Sequence, residues 1–202
     1  MLLHCQIKFG EYYQETSLEN YVAQINVGSE ILNLLVLEFG AREEVLEWAS
    51  DYVKTHNDER FILITHEWLS ESGIRIDTGS SAEQQFGGLS SYTTPEVIWN
   101  RLVRSNNNII CVLSGHERGF SHFYLTENDF GRQVPQILFN LQFLPNGGDG
   151  IVQVWKIADK DTDFEIFALD TKTGEKYLPD STSYHVPFRY VTQNGVAGSN
   201  IL

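Results

Sequence analysis

Two short apolar runs, Phe61-Ile-Leu-Ile-Thr65 and Ile109-Ile-Cys-Val-Leu-Ser114, lead directly to histidines, His66 and, after one glycine, His116. Runs of this length and β-branched content read as parallel strands buried on both faces. Ile31-Leu-Asn-Leu-Leu-Val-Leu37 reads the same way and ends in the turn Glu38–Arg42. From about Glu43 to Lys54 the period changes. Val45, Trp48, Ala49, Tyr52 and Val53 share one face of a helix, and Glu43, Glu44, Glu47 and Asp51 take the other. A second helix opens at Thr94-Pro95-Glu96, where the threonine caps and the proline suits the first turn. Its buried side is Ile98, Trp99, Leu102 and Val103. The order β-α-β-loop-α-β over residues 31–114 predicts a mainly parallel sheet with helices on a face. In such sheets chemistry sits at the carboxyl ends of the strands.

The carboxyl third follows another pattern. Ile137, Phe139, Leu141 and Phe143 alternate with Leu138, Asn140 and Gln142, which predicts a strand over 137–143. Pro145–Gly150 reads as a turn. Residues 151–157 and 164–169 read as further strands, with polar turns at Asp159–Asp163 and Thr171–Gly174, so antiparallel hairpins are expected here. Residues 1–30 are poorly periodic, and Phe9, Tyr12 and Tyr13 suggest a packed irregular segment. The Ser- and Gly-rich stretch 70–93 is a long loop of the kind that carries function. From Asp180 onward there is little pattern. With no internal repeat or linker, one domain over 1–202 is expected.

Charge narrows the partners. The 202 residues carry 14 Lys and Arg against 27 Asp and Glu, a formal charge of −13. Such a surface repels nucleic acid, so no nucleic-acid partner is expected. A small phosphate compound stays compatible, because a bound metal resets the local field. No apolar run reaches membrane-spanning length, and Met1–Lys8 lacks the features of a signal peptide. The expectations are no membrane partner and a cytoplasmic location. Cys5 and Cys111 form no close motif, and Cys111 reads as a small core residue.

His66 and His116, from two neighbouring strand ends, are candidate ligands of one metal ion. A metal site needs three or four ligands. Glu67, Glu117 and His122 are the loop residues that can add to the pair, and Arg118 lies beside it in Ser114-Gly-His-Glu-Arg-Gly119. Two histidines suit zinc, iron, nickel and, less well, manganese. Asp159-x-Asp-x-Asp163 lacks the glycine and closing glutamate of a calcium loop, and Gly147-Gly-x-Gly150 precedes no helix. There is no G-x-S-x-G elbow of a serine hydrolase.

Leu37-Glu-Phe-Gly40, Glu44-Val-Leu-Glu-Trp-Ala49, Ile64-Thr-His66-Glu-Trp-Leu69 and Leu113-Ser-Gly-His116-Glu-Arg-Gly119 follow one another in that order. Together with Val134–Asn140 and Gly147–Val152, they resemble the carboxyl half of a calcineurin-like metallophosphoesterase. The resemblance runs from about residue 9 to about 178 and is strongest over 31–157. It implies an α/β fold of β-sandwich type flanked by helices, parallel strands first and antiparallel hairpins in the carboxyl third. It also implies metal-dependent phosphoester hydrolysis by ions between the strand ends. The family's lone histidine after a strand falls on His66, and the first histidine of its Gly-His-x-His motif on His116, both serving one ion. The second histidine of that motif falls on Arg118, which cannot ligate a metal but can bind phosphate. The family's amino half supplies Asp-x-His, a second Asp and a Gly-Asn-His-Asp/Glu stretch, and none of them is present. The resemblance therefore implies a truncated domain with a degenerate active site, impaired or inactive as an isolated chain. Its exposed apolar surface would be met by self-association or by a complementary amino-terminal half. The alternative is a non-catalytic structural, interaction or anion-binding module derived from the same fold.

Overall fold

The structure, a computed structural model, describes residues 7–28, 30–81, 84, 92–157 and 161–188. Three apolar runs form the parallel centre of a seven-stranded sheet. They are β3 (Glu30–Val36), β4 (Arg60–Ile64) and β5 (Ile109–Ser114), paired in parallel as the pattern predicts. β7 (Gln133–Phe139) continues the parallel set beside β5. The flanks are antiparallel: β1 (Ile7–Tyr12) and β2 (Tyr21–Val27) on the β3 side, and β6 (Ser121–Glu127) outside β7. The full order is β1-β2-β3-β4-β5-β7-β6. A separate three-stranded antiparallel sheet holds β8 (Ile151–Lys156), β9 (Asp163–Asp170) and β10 (Tyr184–Pro187) in the order β10-β9-β8. The fold is α/β, a mixed sheet with helices on one face and a smaller antiparallel sheet on the other.

Helix α1 (Glu43–Thr55) presents Val45, Leu46, Ala49 and Val53 to the large sheet, and its four expected acids are exposed. The short helix α2 (Pro95–Ile98) is capped by Thr94 Oγ1, which accepts from the Val97 N–H at 3.4 Å. It runs into a π turn, Trp99–Val103, closed by the Arg104 N–H to the Trp99 carbonyl at 2.8 Å. Trp99, Leu102 and Val103 are thereby buried against α1 and the sheet.

The two faces of the large sheet have separate cores. Leu35, Leu63, Val112 and Leu138 pack under the helices. Leu32, Ile62, Cys111 and Ile137 pack under Phe164, Ile166, Val186 and Phe188 of the small sheet and its end. Cys111 is a buried core residue, as expected.

Two expectations are corrected, and elements appear in two places where none was expected. Residues 1–6 lie outside the described residues, and over residues 7–27 the chain is not an irregular segment: β1 and β2 form a hairpin that extends the sheet. Its signal is weak because β1 is an exposed edge strand and only Val22 and Ala23 of β2 are fully buried. The strand expected over 137–143 lies instead at Gln133–Phe139, where Val134–Leu138 are all buried between β5 and β6. The apparent alternation beyond it belongs to a turn, with the Leu144 N–H bonded to the Leu141 carbonyl at 2.9 Å and Phe143 exposed. β6 had no expected counterpart. Beyond Asp180, α3 (Pro179–Thr182) and β10 are ordered parts of the small sheet's edge, and Phe188 is fully buried with the Arg60 guanidinium over its ring. Cys5, residues 82, 83 and 85–91 of the long loop, residues 159–160 of the polar turn and the end beyond 188 lie outside the described residues.

A buried amide positions the segment that follows His66. Gln136, with no exposed surface, accepts from Trp68 Nε1 at 2.8 Å and from Arg75 Nη1 at 3.0 Å. Arg75 also pairs with Glu96 and stacks over Trp99. A buried polar group this well paired locks the backbone around it, since any lost partner leaves an unsatisfied donor.

Candidate metal centre

Three adjacent parallel strands end at one place. β3 delivers Phe39, β4 delivers His66 and β5 delivers His116. Beyond β4 the chain bends at His66, with Thr65 buried, His66 exposed and Glu67 buried. The Gly115 N–H donates to the His66 carbonyl at 3.0 Å and ties the two strand ends together. His66 Nε2 and His116 Nδ1 then lie 2.8 Å apart. The Phe39 ring covers both, at 4.8 and 5.5 Å between ring centroids.

His116 has φ +63°, a left-handed conformation that costs a non-glycine residue of order 1 kcal/mol or more. Two side-chain amides hold the strained tip. Gln142 Nε2 donates to the His116 carbonyl at 3.1 Å, and Asn140 Nδ2 to the Glu117 carbonyl at 2.9 Å. Strain retained by dedicated hydrogen bonds marks a position whose orientation matters.

Glu67, His116 and Glu117 form one group, with ligand atoms all within 4.8 Å of one another. Glu67 is 3% exposed. Its Oε1 accepts from the Ser81 N–H at 2.7 Å, and its Oε2 is buried with no hydrogen-bond partner among the described residues. Burial first, then the charge of Glu67 and a hydrogen bond to it, push the Glu117 carboxyl above the usual carboxylate range. Although the residue as a whole is exposed, partial burial of its ring beside Phe39 and His116, with the His116 charge second, holds the His66 imidazole below its ordinary value, which favours the neutral, ligating form.

The donor set fits part of a metal site. Two Zn–N bonds of about 2.0–2.1 Å at a tetrahedral angle place the nitrogens about 3.3 Å apart. The observed 2.8 Å is a donor–acceptor contact that opens to this span with a small ring movement. Glu67 Oε2 is a buried carboxylate oxygen with no hydrogen-bond partner among the described residues.

The remaining sequence candidates lie elsewhere. The His122 ring sits against Gly73 and Gly119, and its Nε2 contacts the Glu71 carbonyl at 3.0 Å. A Cβ on either glycine would come within 3 Å of that ring, so both positions keep the loop close. Arg118 is exposed and stacks on Phe143 at 4.6 Å. Phe39, Ser81, Asn140 and Gln142 shape the centre but were not anticipated. Only Phe39 carries a local signal, since it follows the apolar run of β3 just as His66 follows that of β4. Glu38, its neighbour, faces away from the histidines and binds Arg42 and Asn20.

No protein-family model matches the chain. The chain is 28% identical over 156 residues to the uncharacterized protein YvnB of Bacillus subtilis (strain 168), a match covering 75% of this chain and 10% of YvnB. It thus spans 10% of the length of the curated relative that it matches.

Proposed function

We propose that the chain supplies part of a metal-dependent phosphoester-hydrolysing centre, in which His66 and His116 hold one divalent ion, with Glu67 and Glu117, grouped with His116 but not with His66, beside it. The observation that carries this reading is the 2.8 Å approach of His66 Nε2 to His116 Nδ1 at the ends of adjacent parallel strands. The resemblance to calcineurin-like metallophosphoesterases supports the reaction class. A divalent ion bound here would supply a Lewis acid for a phosphoryl oxygen. The chain's own residues do the rest. Phe39 walls the imidazoles, Asn140 and Gln142 fix the tip, and the pair Glu67 and Glu117 sets the local charge.

The ligand set is short of a two-ion site. Arg118 stands where the family has a second histidine and stacks on Phe143. The isolated chain is therefore expected to bind an ion and to hydrolyse poorly. Zinc, manganese, iron or nickel suits the mixed imidazole and carboxylate donors. The test is hydrolysis of p-nitrophenyl phosphate and bis(p-nitrophenyl) phosphate by the chain loaded with each metal. Weak turnover that is lost in His66→Ala supports the reading. Turnover unchanged in His66→Ala contradicts it. The exposed guanidinium of Arg118 supports a second reading, an anion-binding module without turnover. Calorimetry with inorganic phosphate, repeated on Arg118→Ala, separates the two.

A further inference from the structure

Two carboxylates meet beside His116 in a group that leaves His66 out. Glu67 follows His66 beyond β4, and Glu117 follows His116 beyond β5, so each strand end delivers a histidine and then a glutamate. The ligand atoms of Glu67, His116 and Glu117 lie within 4.8 Å of one another. Glu67 is 3% exposed, and its Oε2 has no hydrogen-bond partner among the described residues. Ser81 ties both carboxylates in place. Its N–H donates to Glu67 Oε1 at 2.7 Å and its Oγ to Glu117 Oε1 at 3.5 Å. Buried polar atoms are paired as a rule. A buried carboxylate oxygen without a donor, next to a second carboxylate, is relieved by a cation between them.

We propose that His116 is shared between two overlapping cation positions that fill one at a time. Toward His66 it belongs to the nitrogen pair, which suits zinc. Toward Glu67 and Glu117 it completes an oxygen-rich position, two carboxylates and one imidazole, which takes manganese. The competition with zinc rests on the proposed His66–His116 centre; the oxygen-rich position does not.

Donor chemistry separates the two ions. Carboxylate oxygens suit magnesium, calcium and manganese, whereas imidazole suits zinc, iron and nickel. Of the first set manganese also accepts an imidazole, so it matches the mixed group. The two carboxylates together balance the charge of one divalent ion. Exclusion follows from the imidazole. Neutral His116 has one nitrogen with a free lone pair and so serves one ion at a time. Its Nδ1 stands 2.8 Å from His66 Nε2. With manganese on the oxygen side, that contact stays a hydrogen bond from His116 to His66 and leaves Nε2 for the ion. His66 then orients a ligating ring from outside, as the partners of metal-bound histidines do. With zinc on the nitrogen side, the same contact opens and His66 becomes a ligand.

The test uses the 202-residue chain. Manganese binding is read from the electron paramagnetic resonance of the free ion, and zinc binding by competition with a chromophoric chelator. About one manganese per chain is expected, released one for one by zinc. Glu67→Gln is expected to weaken manganese about tenfold or more and zinc less than about threefold, and His66→Ala to do the reverse. If Glu67→Gln does not fold, Glu117→Gln takes its place. Equal weakening of manganese by the glutamate and the histidine variants overturns the proposal. So does the lack of manganese binding at about 1 mM, or manganese that stays bound once zinc saturates the chain. Zinc affinity unmoved by His66→Ala, with manganese lost in Glu67→Gln, faults the nitrogen pair of the proposed function and leaves the oxygen-rich position standing.

Discussion

The two faces of the seven-stranded sheet are built from neighbouring residues of the same strands, yet they are closed to different degrees. On the helix face Leu35, Leu63 and Val112 have no exposed surface. One residue along each strand, Leu34, Ile64 and Leu113 are half-buried on the other face. Hydrophobicity alone does not separate these positions, since both sets are aliphatic. Among the described residues the difference is cover: α1 and the turn after α2 close over one face, and β8–β10 pack on the other while leaving Leu34, Ile64 and Leu113 only partly buried. The candidate metal centre sits at the margin of that incomplete cover.

The sharpest break of this comparison is a pair of truncations in β3. Leu35→Ala removes a fully buried side chain and is expected to cost about 2–5 kcal/mol, whereas Leu34→Ala is expected to cost less than about 1.5 kcal/mol. Urea unfolding of the two variants measures this, and equal losses would mean that the second face is closed. Next in size is Gln136→Ala. It strands the Trp68 indole N–H and an Arg75 donor inside the protein, with an expected loss of about 1–3 kcal/mol by the same assay.

The smallest expected effect is at Glu38, in the turn before α1, where it binds the N-cap residue Arg42. Burial alone would raise its carboxyl, but hydrogen bonds from the Arg42 side chain and backbone and from Asn20 outweigh it and hold the carboxyl below its ordinary value. A lowered carboxyl contributes stability that is present above the unfolded-state value and lost as pH falls through the folded-state value. Glu38→Gln is thus expected to cost about 1 kcal/mol near pH 7 and to converge with the parent toward acid. Melting temperature against pH reads it.

The strands buried on both faces were legible because their apolar runs are continuous: β3, β4 and β5 follow from Leu34–Val36, Phe61–Ile64 and Ile109–Leu113. Helix α1 was legible from its 3.6-residue period. β1, β2, β6 and β10 were not, because each carries mixed polar and apolar positions and few fully buried ones, even though its partner is the neighbouring strand in sequence. β7 was displaced because Leu141 and Phe143 prolong its alternation into a turn. At the centre, His66 and His116 could be read from their places after apolar runs. Ser81, Asn140 and Gln142 reach it through chain topology, and no local pattern marks an amide that will cap a strained carbonyl 23 or 26 residues away.

The most direct test of the metal centre is the metal content of the 202-residue chain after equilibrium dialysis against zinc or manganese, alongside His66→Ala/His116→Ala. The account predicts about one ion per chain and an affinity reduced more than about a hundredfold in the double variant, since removing ligands exceeds the 10- to 100-fold loss typical of outer-shell changes. Equal metal uptake by both proteins, or none by either, would contradict it.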